Sequence, residues 1–133
     1  MRITNWSGRR MALATIMAIA MHASPPPAGA IGSEGRPYDK ELLRLSELLG
    51  AIHYLRELCG AGEGQQWRQG MQDLVSAEGT TAFRRAQLVQ SFNKGYRSYR
   101  RTYRNCTKSA RTAIQRFLSE GIQLSEEMVK KNQ

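Results

Sequence analysis

The stretch DKELLRLSELLGAIHYLRELCG, residues 39–60, decides the fold. Its apolar residues recur at steps of three and four, which is typical of one side of an α-helix; they are Leu42, Leu45, Leu49, Ile52, Leu55 and Cys59. Asp39 is expected to cap the start of this helix, and Gly60 is expected to end it. The stretch therefore predicts a first helix that ends at a cysteine.

The second half of the chain carries an equally regular apolar stripe, with steps of four, four, three, four and three: Leu88, Phe92, Tyr96, Tyr99, Tyr103 and Cys106. A shorter helix is predicted between the two, over about residues 65–77, with Trp67, Met71, Leu74 and Val75 facing inward. After Cys106, either Thr107 caps a further helix or the long helix continues without a break. No segment alternates for long enough to predict a strand. The fold class predicted is all-α, a small bundle of three or four helices.

The N-terminus has the features of a secretory signal peptide. Three arginines (Arg2, Arg9 and Arg10) precede the uncharged apolar run 11–20, and Ala28 and Ala30 form an A-x-A cleavage site. We predict a signal peptide over 1–30, with cleavage after Ala23 as the alternative, then a disordered lead-in over 31–37 and a helical domain over 38–130. The apolar run is shorter than the ~20 residues of a spanning helix, so the processed protein is not expected to cross a membrane.

Cys59 and Cys106 are the two cysteines of the chain. Export would carry them into an oxidising compartment, where a disulfide persists. A bond between them would close a loop of about 48 residues and contribute ~4 kcal/mol in the chain-entropy model. Two reactive thiols are the alternative, but no C-x-x-C spacing supports it. The prediction is therefore a bundle stapled by one disulfide.

Charge is distributed unevenly. The full chain carries +9, and removal of the three signal arginines leaves 17 − 11 = +6. No acidic residue lies between Glu78 and Glu120, whereas that interval holds ten basic residues: Arg84, Arg85, Lys94, Arg97, Arg100, Arg101, Arg104, Lys108, Arg111 and Arg116. Such a field attracts anions and acidic partners.

Five of these cations are spaced 4, 3, 4 and 3, and on an unbroken helix they lie within about 80° of arc: Arg97, Arg101, Arg104, Lys108 and Arg111. We call this set the basic ridge; Asn93 and Lys94 are predicted to lie at its edge. A solvated helix face is the simpler interpretation. Like charges at i,i+4 cost a few tenths of a kcal/mol each, however, so compensation is expected. It could come from acids of the first helix (Glu41, Glu47 and Glu57) or from an external anion.

Two features near the ridge have structural interpretations. The tyrosines are spaced as core residues with their hydroxyls at the rim, although stacking on bases or sugars is a second possibility. Gly95 lowers helix stability by about 1 kcal/mol relative to alanine, which indicates a close approach of another helix. The helix of Trp67 is the expected neighbour.

No constellation for catalysis is apparent. His53 is the single histidine after the signal region, and one histidine without clustered Cys or Asp is not a metal site. It is expected to be partly buried and hydrogen-bonded to a neighbour. The serines have no G-x-S-x-G context, and no glycine-rich phosphate loop is present. The sequence therefore predicts a protein that is not an enzyme and that has no catalytic residues, metal or cofactor.

Several runs, in this order and spacing, are similar to a family of small exported alphaproteobacterial proteins of unknown function with two well-separated cysteines. The runs are Leu48–Ala51, Tyr54–Gly60, Trp67-Arg68, Phe92–Arg97 and Tyr103–Thr107, and the similarity extends from Tyr38 to Gly121. The resemblance implies a periplasmic location and a Cys59–Cys106 disulfide. It also implies an association with inhibitors of peptidoglycan hydrolases, but it supplies no active site.

The function expected is therefore that of a periplasmic binding protein in cell-envelope maintenance that inhibits a peptidoglycan hydrolase, a lysozyme-like muramidase, through the basic ridge. The partner would be an acidic protein surface or an anionic envelope polymer. Nucleic acid is not expected as a partner, because export separates the protein from it. The main alternative is a helical scaffold or adaptor, which an apolar surface patch would mark; a binder of anionic glycan or lipid is another. An enzyme would need a cleft that holds His53 and an acid together. The sequence does not specify the oligomeric state.

Overall fold

A computed structural model describes residues 35–63 and 65–133. Four helices make up this part of the chain, and it contains no strand: α1 (Asp39–Leu58), α2 (Gln66–Glu78), α3 (Ala82–Thr102) and α4 (Lys108–Lys131). The all-α prediction is confirmed. The predicted signal peptide and residues 31–34 of the predicted lead-in lie outside the described residues.

Helix α1 is the centre of the bundle, and each of the other helices packs against it. Helix α3 runs parallel to α1. Asp39 pairs with Arg84 near the starts of the two helices, and Cys59 and Cys106 are bonded just beyond their ends. Helix α4 runs antiparallel, with Glu41 bonded to Lys131. Two apolar clusters result. One lies near the disulfide and includes Leu55 and Phe117; the other lies at the opposite end around Leu42, Met71 and Leu88.

The helix ends follow local sequence signals. Gly60 has φ +67°, and the amides of Gly60 and Ala61 bond to the carbonyls of Glu57 and Arg56. This is a Schellman motif, which confirms Gly60 as the C-terminal stop of α1. Threonine side chains cap α3 (Thr81) and α4 (Thr107). The predicted N-cap at Asp39 is wrong by one residue: Tyr38 occupies that position, and the Asp39 carboxylate accepts the Arg36 amide at 2.9 Å instead.

Helices α1 and α3 touch backbone to backbone. A Cβ placed on Gly95 would collide with the carbonyl oxygen of Glu47, and a Cβ placed on Gly50 would collide with the carbonyl oxygen of Phe92. The predicted close approach at Gly95 is confirmed. The predicted neighbour was wrong: α1, and not the helix that contains Trp67, crosses at this glycine.

The long second helix is interrupted. Helix α3 ends at Thr102, and Thr107 begins α4, so residues 103–107 form a corner between them. Cys106 lies in this corner and is bonded to Cys59, just after α1. Of the two alternatives for this segment, the separate capped helix is therefore the one observed, and the disulfide prediction is confirmed.

A charged network joins the starts of α1 and α3 to the end of α2. The Arg84 guanidinium contacts Asp39 at 2.5 Å and Glu78 at 3.2 Å, and its Nε donates to the Glu78 carbonyl at 2.6 Å. Arg36 reaches the same Glu78 carboxylate at 2.7 Å. Arg84 is mostly buried, so this member of the basic interval holds the fold together and is not available to an external partner.

Candidate functional site

The part of the basic ridge on α3 forms an open depression. Asn93, Lys94, Arg97 and Arg101 line it together with Gln90 and Ser98, and its volume is about 380 Å³. All six residues belong to α3, whose turns bring positions three and four apart onto one face. We call this set the α3 basic face. The structure thus brings together four of the seven predicted binding residues.

The other three predicted residues do not continue that helix. Arg104 lies in the corner, whereas Lys108 and Arg111 belong to the first turn or so of α4. All three are exposed, and the Arg111 guanidinium donates to Cys106 Sγ at 3.3 Å. The prediction of one continuous ridge is therefore wrong. The 80° arc assumed an unbroken helix, and the corner at 103–107 divides the cations into two groups.

The acids of α1 do not neutralise these arginines. Glu41 pairs with Lys131, and Glu47 pairs with Arg44 and Lys94. Glu57 lies nearest to His53, at 3.9 Å. Within residues 35–63 and 65–133, none of the five ridge cations forms an ion pair. Of the two sources of compensation expected from the sequence, α1 thus serves only Lys94 at the edge of the ridge.

One acid of each helix, Glu41 of α1 and Glu120 of α4, instead binds these two helices to each other. Arg44 donates two hydrogen bonds to Glu120, at 2.7 and 3.1 Å, and these bonds raise the pKa of Arg44. The hydrogen bond from Lys131 lowers the pKa of the Glu41 carboxyl below its ordinary value. Glu41 and Glu120 therefore have fixed structural partners between α1 and α4.

His53 is not placed for catalysis with an acid across a cleft. The side chain of His53 is 7% exposed, and its imidazole lies beside the rings of Phe92 and Tyr96, with centroids 6.0 and 5.7 Å away. The nearest carboxylate, Glu57, is on the same helix, and 3.9 Å is too long for a hydrogen bond. Among the described residues Nδ1 has no hydrogen-bond partner, so within them this nitrogen does not make the hydrogen bond expected from the sequence.

The aromatic stripe faces the core as expected. Tyr96 and Tyr99 pack edge-on against Tyr54 and Phe117, with centroids 5.5 and 5.0 Å apart. Tyr103 packs against the core cluster near the disulfide. It also lines a second depression, of about 550 Å³, with residues of α4: Lys108, Ser109, Thr112, Ala113 and Arg116. Of these, only Lys108 was a predicted binding residue; Arg116 was named only as a member of the basic interval. The sequence feature that could have identified this site is the i,i+4 spacing of positions 108, 112 and 116. These positions lie on one side of a helix only if a new helix begins at Lys108.

An apolar groove lies on another side of α1, between the start of α2 and α4. Its volume is about 420 Å³, and its lining includes Leu45, Leu49, Trp67, Leu118 and Ile122. Ile122 is 62% exposed. The groove therefore exposes apolar surface along α4.

The comparisons with known proteins concern the family only. The family described as "Protein of unknown function (DUF2385)" matches residues 37–132. The chain belongs to this family. No curated protein and no solved structure matches the chain.

Membership of the DUF2385 family covers all four helices and both cysteines. It assigns no role to any residue, so the candidate site rests on geometry and charge. Within the described residues, no group of three or more His, Cys, Asp or Glu side chains is placed to hold a metal ion. None of the described helices is both long and apolar enough to cross a membrane.

Proposed function

We propose that this DUF2385 protein is a non-enzymatic binding protein of the periplasm, and that its basic surface restrains a peptidoglycan hydrolase of the lysozyme type. The residues proposed to contact the partner are Arg97, Arg101 and Arg104. The observation that carries the proposal is that these exposed arginines have no acidic partner among the described residues, while Glu41 and Glu47 of α1 are engaged elsewhere.

The chemistry of the partner supports this pairing. Lysozyme-like hydrolases use carboxylates in a sugar-binding cleft. Guanidinium groups form strong, often bidentate, hydrogen bonds with carboxylates. A surface held by α1 and by the Cys59–Cys106 bond loses little conformational entropy on binding, which favours affinity.

The proposed location rests on the sequence and on the cysteines. The charged start, the apolar run of ten residues and the A-x-A site are those of an exported protein. A disulfide is typical of oxidising compartments such as the periplasm. The association of similar exported alphaproteobacterial proteins with hydrolase inhibition adds to the proposal.

The experiment that tests the function is lysis of purified peptidoglycan by a lysozyme-type muramidase, with and without the oxidised exported protein. We expect dose-dependent protection and a direct complex with the muramidase in sedimentation. The variant Arg97→Ala/Arg101→Ala/Arg104→Ala should lose both.

A matched control is available because three other exposed cations are not members of the ridge and form no ion pair among the described residues: Lys40, Arg68 and Lys130. Their triple replacement by alanine removes the same charge, and protection should persist. Equal loss in both variants would mean that net charge alone is responsible. Absence of protection by the wild-type protein would refute the inhibitor function.

A second candidate function, the helical adaptor, is favoured by the apolar groove beside Trp67 and Ile122. It predicts that Ile122→Glu abolishes capture of an envelope protein, whereas the triple arginine variant retains it. The muramidase experiment separates the two functions, because an adaptor that works through the groove would give no arginine-dependent protection. Protection that arises only because the protein sediments with peptidoglycan would instead favour binding of an anionic glycan.

A further inference from the structure

The depression at the α3–α4 corner is chemically different from the α3 basic face. Its volume is about 550 Å³, within the range of about 300–1,000 Å³ that is usual for small-molecule sites. It combines an aromatic ring, two cations and two hydroxyl groups, whereas the α3 basic face has no aromatic lining. Ala113, which is buried, contributes a small apolar surface to the lining.

Two unpaired cations give this depression an affinity for an anion. Lys108 and Arg116 are exposed, and no acid lines the depression or pairs with them in the described part of the chain. The Arg116 guanidinium lies over the Phe117 ring, 5.1 Å from its centroid, so its position is partly fixed before a ligand arrives.

The remaining lining suits a sugar. Thr112 donates its hydroxyl proton to the Lys108 carbonyl at 3.1 Å, which leaves the lone pairs of its oxygen free to accept from a ligand hydroxyl. Ser109 is exposed beside it. The electron-rich face of a tyrosine ring can contact the C–H groups of a pyranose, and Tyr103 supplies such a ring at the edge of the site.

The Tyr103 ring is held in place by neighbouring residues. The Tyr103 ring stacks parallel to Tyr99, with centroids 6.2 Å apart, and Tyr99 packs edge-on against Phe117. The Tyr103 carbonyl accepts from the Tyr54 hydroxyl at 2.5 Å, and the disulfide fixes the corner three residues further along. A ligand would meet a preformed surface, so little ordering entropy would oppose binding.

We propose that this corner depression is a binding site for a sugar that carries one anionic group, a carboxylate or a phosphate. The anion would lie between Lys108 and Arg116, and the ring would lie against Tyr103 with its hydroxyls near Ser109 and Thr112. The site is separate from the α3 basic face and does not depend on inhibition of a hydrolase.

The test is a ¹⁵N NMR titration of the oxidised protein with four probes. N-acetylmuramic acid supplies a carboxylated sugar and N-acetylglucosamine 1-phosphate a phosphorylated one, which distinguishes the two sources of the anion. N-acetylglucosamine and inorganic phosphate are the matched neutral and sugar-free probes. We expect saturable shifts at Tyr103 and residues 108–116 with at least one anionic sugar, at about tenfold higher affinity than with either control probe.

Variants separate the parts of the site. Arg116→Gln should weaken binding about tenfold, because a charge-assisted hydrogen bond is lost. Arg100→Gln should not, because Arg100 is exposed on α3, outside the depression, and forms no ion pair within the described part of the chain. Tyr103→Leu should weaken sugar binding but leave phosphate binding unchanged. Thr112→Val serves the same purpose should Tyr103→Leu not fold.

Three results would overturn the proposal: phosphate binding as tightly as the anionic sugars, shifts confined to the α3 basic face, or no saturable shift with any probe. The first would reduce the depression to a general anion site. The second would assign the sugar to the α3 basic face, and the third would leave the depression without the proposed ligand class.

Discussion

At the residue scale, two glycines set the distance between α1 and α3. Gly50 and Gly95 each face a carbonyl of the other helix, so Gly95→Ala must push the helices apart. We expect it to lower the free energy of unfolding by about 1–3 kcal/mol, the usual cost of overpacking, despite the higher helix propensity of alanine. Urea denaturation measures this difference.

Gly70 provides the matched control. It lies on α2 with nothing within 4 Å of a built Cβ, so Gly70→Ala should stabilise the protein by about 0.5–1 kcal/mol. Effects of the same sign at the two glycines would contradict the close-approach argument.

Single arginines differ in role although they look alike in the sequence. Arg84 is mostly buried between Asp39 and Glu78, so Arg84→Ala leaves two partly buried carboxylates without this partner. We expect a loss of about 2–3 kcal/mol, as for hydrogen bonds to charged groups. Arg97→Ala, at an exposed position, should change stability by less than about 0.5 kcal/mol. A thermal melt of each variant decides whether the difference exists.

At the element scale, the end of α4 is tied to the start of α1 by the bond from Lys131 to Glu41. Because this bond lowers the pKa of Glu41 in the folded protein, the stabilisation is complete above the ordinary carboxyl pKa of about 4.3. It is lost as the pH falls through the lowered value, when the carboxylate becomes protonated.

We therefore expect the free energy of unfolding to decrease as the pH is lowered from about 4.3. The Glu41→Gln variant should show a smaller decrease, because it lacks this carboxylate. Urea titrations between neutral and acidic pH measure both. Glu126 is exposed and forms no ion pair in the described residues, so Glu126→Gln should retain the wild-type profile. Identical profiles for wild type and Glu41→Gln would show that this bond does not hold α4.

The elements themselves were largely predictable, whereas their junction was not. Apolar spacing located α1 and α2, and Gly60 marked an end because only a residue tolerant of positive φ fits there. The corner at residues 103–107 was missed as a definite break because the stripe continues through Tyr103 and Cys106 at helical steps. Only the cap at Thr107 indicated it, and an uninterrupted helix remained equally compatible with the pattern.

The prediction of the candidate site was affected most by the uncertainty about where α3 ends. Periodicity could group Arg97 and Arg101, because both lie on α3, but it extended the ridge wrongly into α4. The pairing of Glu47 with Lys94 rather than with a ridge arginine depends on how α1 and α3 cross, which one sequence does not specify. The corner depression required the end of one helix to meet the start of another, so no single periodic pattern could reveal it.

At the scale of the whole molecule, the disulfide joins the end of α1 to the α3–α4 corner across 47 positions in sequence. Replacing both cysteines by serine releases that loop in the unfolded chain, and we expect a loss of about 4 kcal/mol. Guanidinium denaturation of the oxidised protein and of Cys59→Ser/Cys106→Ser measures it. Dithiothreitol should destabilise the wild type and leave the double variant unchanged; a response of both would mean that the reductant acts elsewhere.

The positive charge of the molecule should lower its free energy of unfolding, and the α3 basic face allows this effect to be measured. Arg97 and Arg101 are one helical turn apart and have no acidic partner among the described residues, so their repulsion should lower stability by a few tenths of a kcal/mol. Arg97→Gln/Arg101→Gln should therefore be slightly more stable than the wild type in urea at about 0.02 M salt, and the difference should vanish near 0.5 M, where charges are screened. The same variant should bind an acidic partner less tightly. Higher stability together with weaker binding is the pattern of residues whose charge serves recognition at the expense of the fold. Unchanged or lower stability at low salt would mean that these arginines form favourable contacts within the protein, and the argument for an external anion would lose its basis.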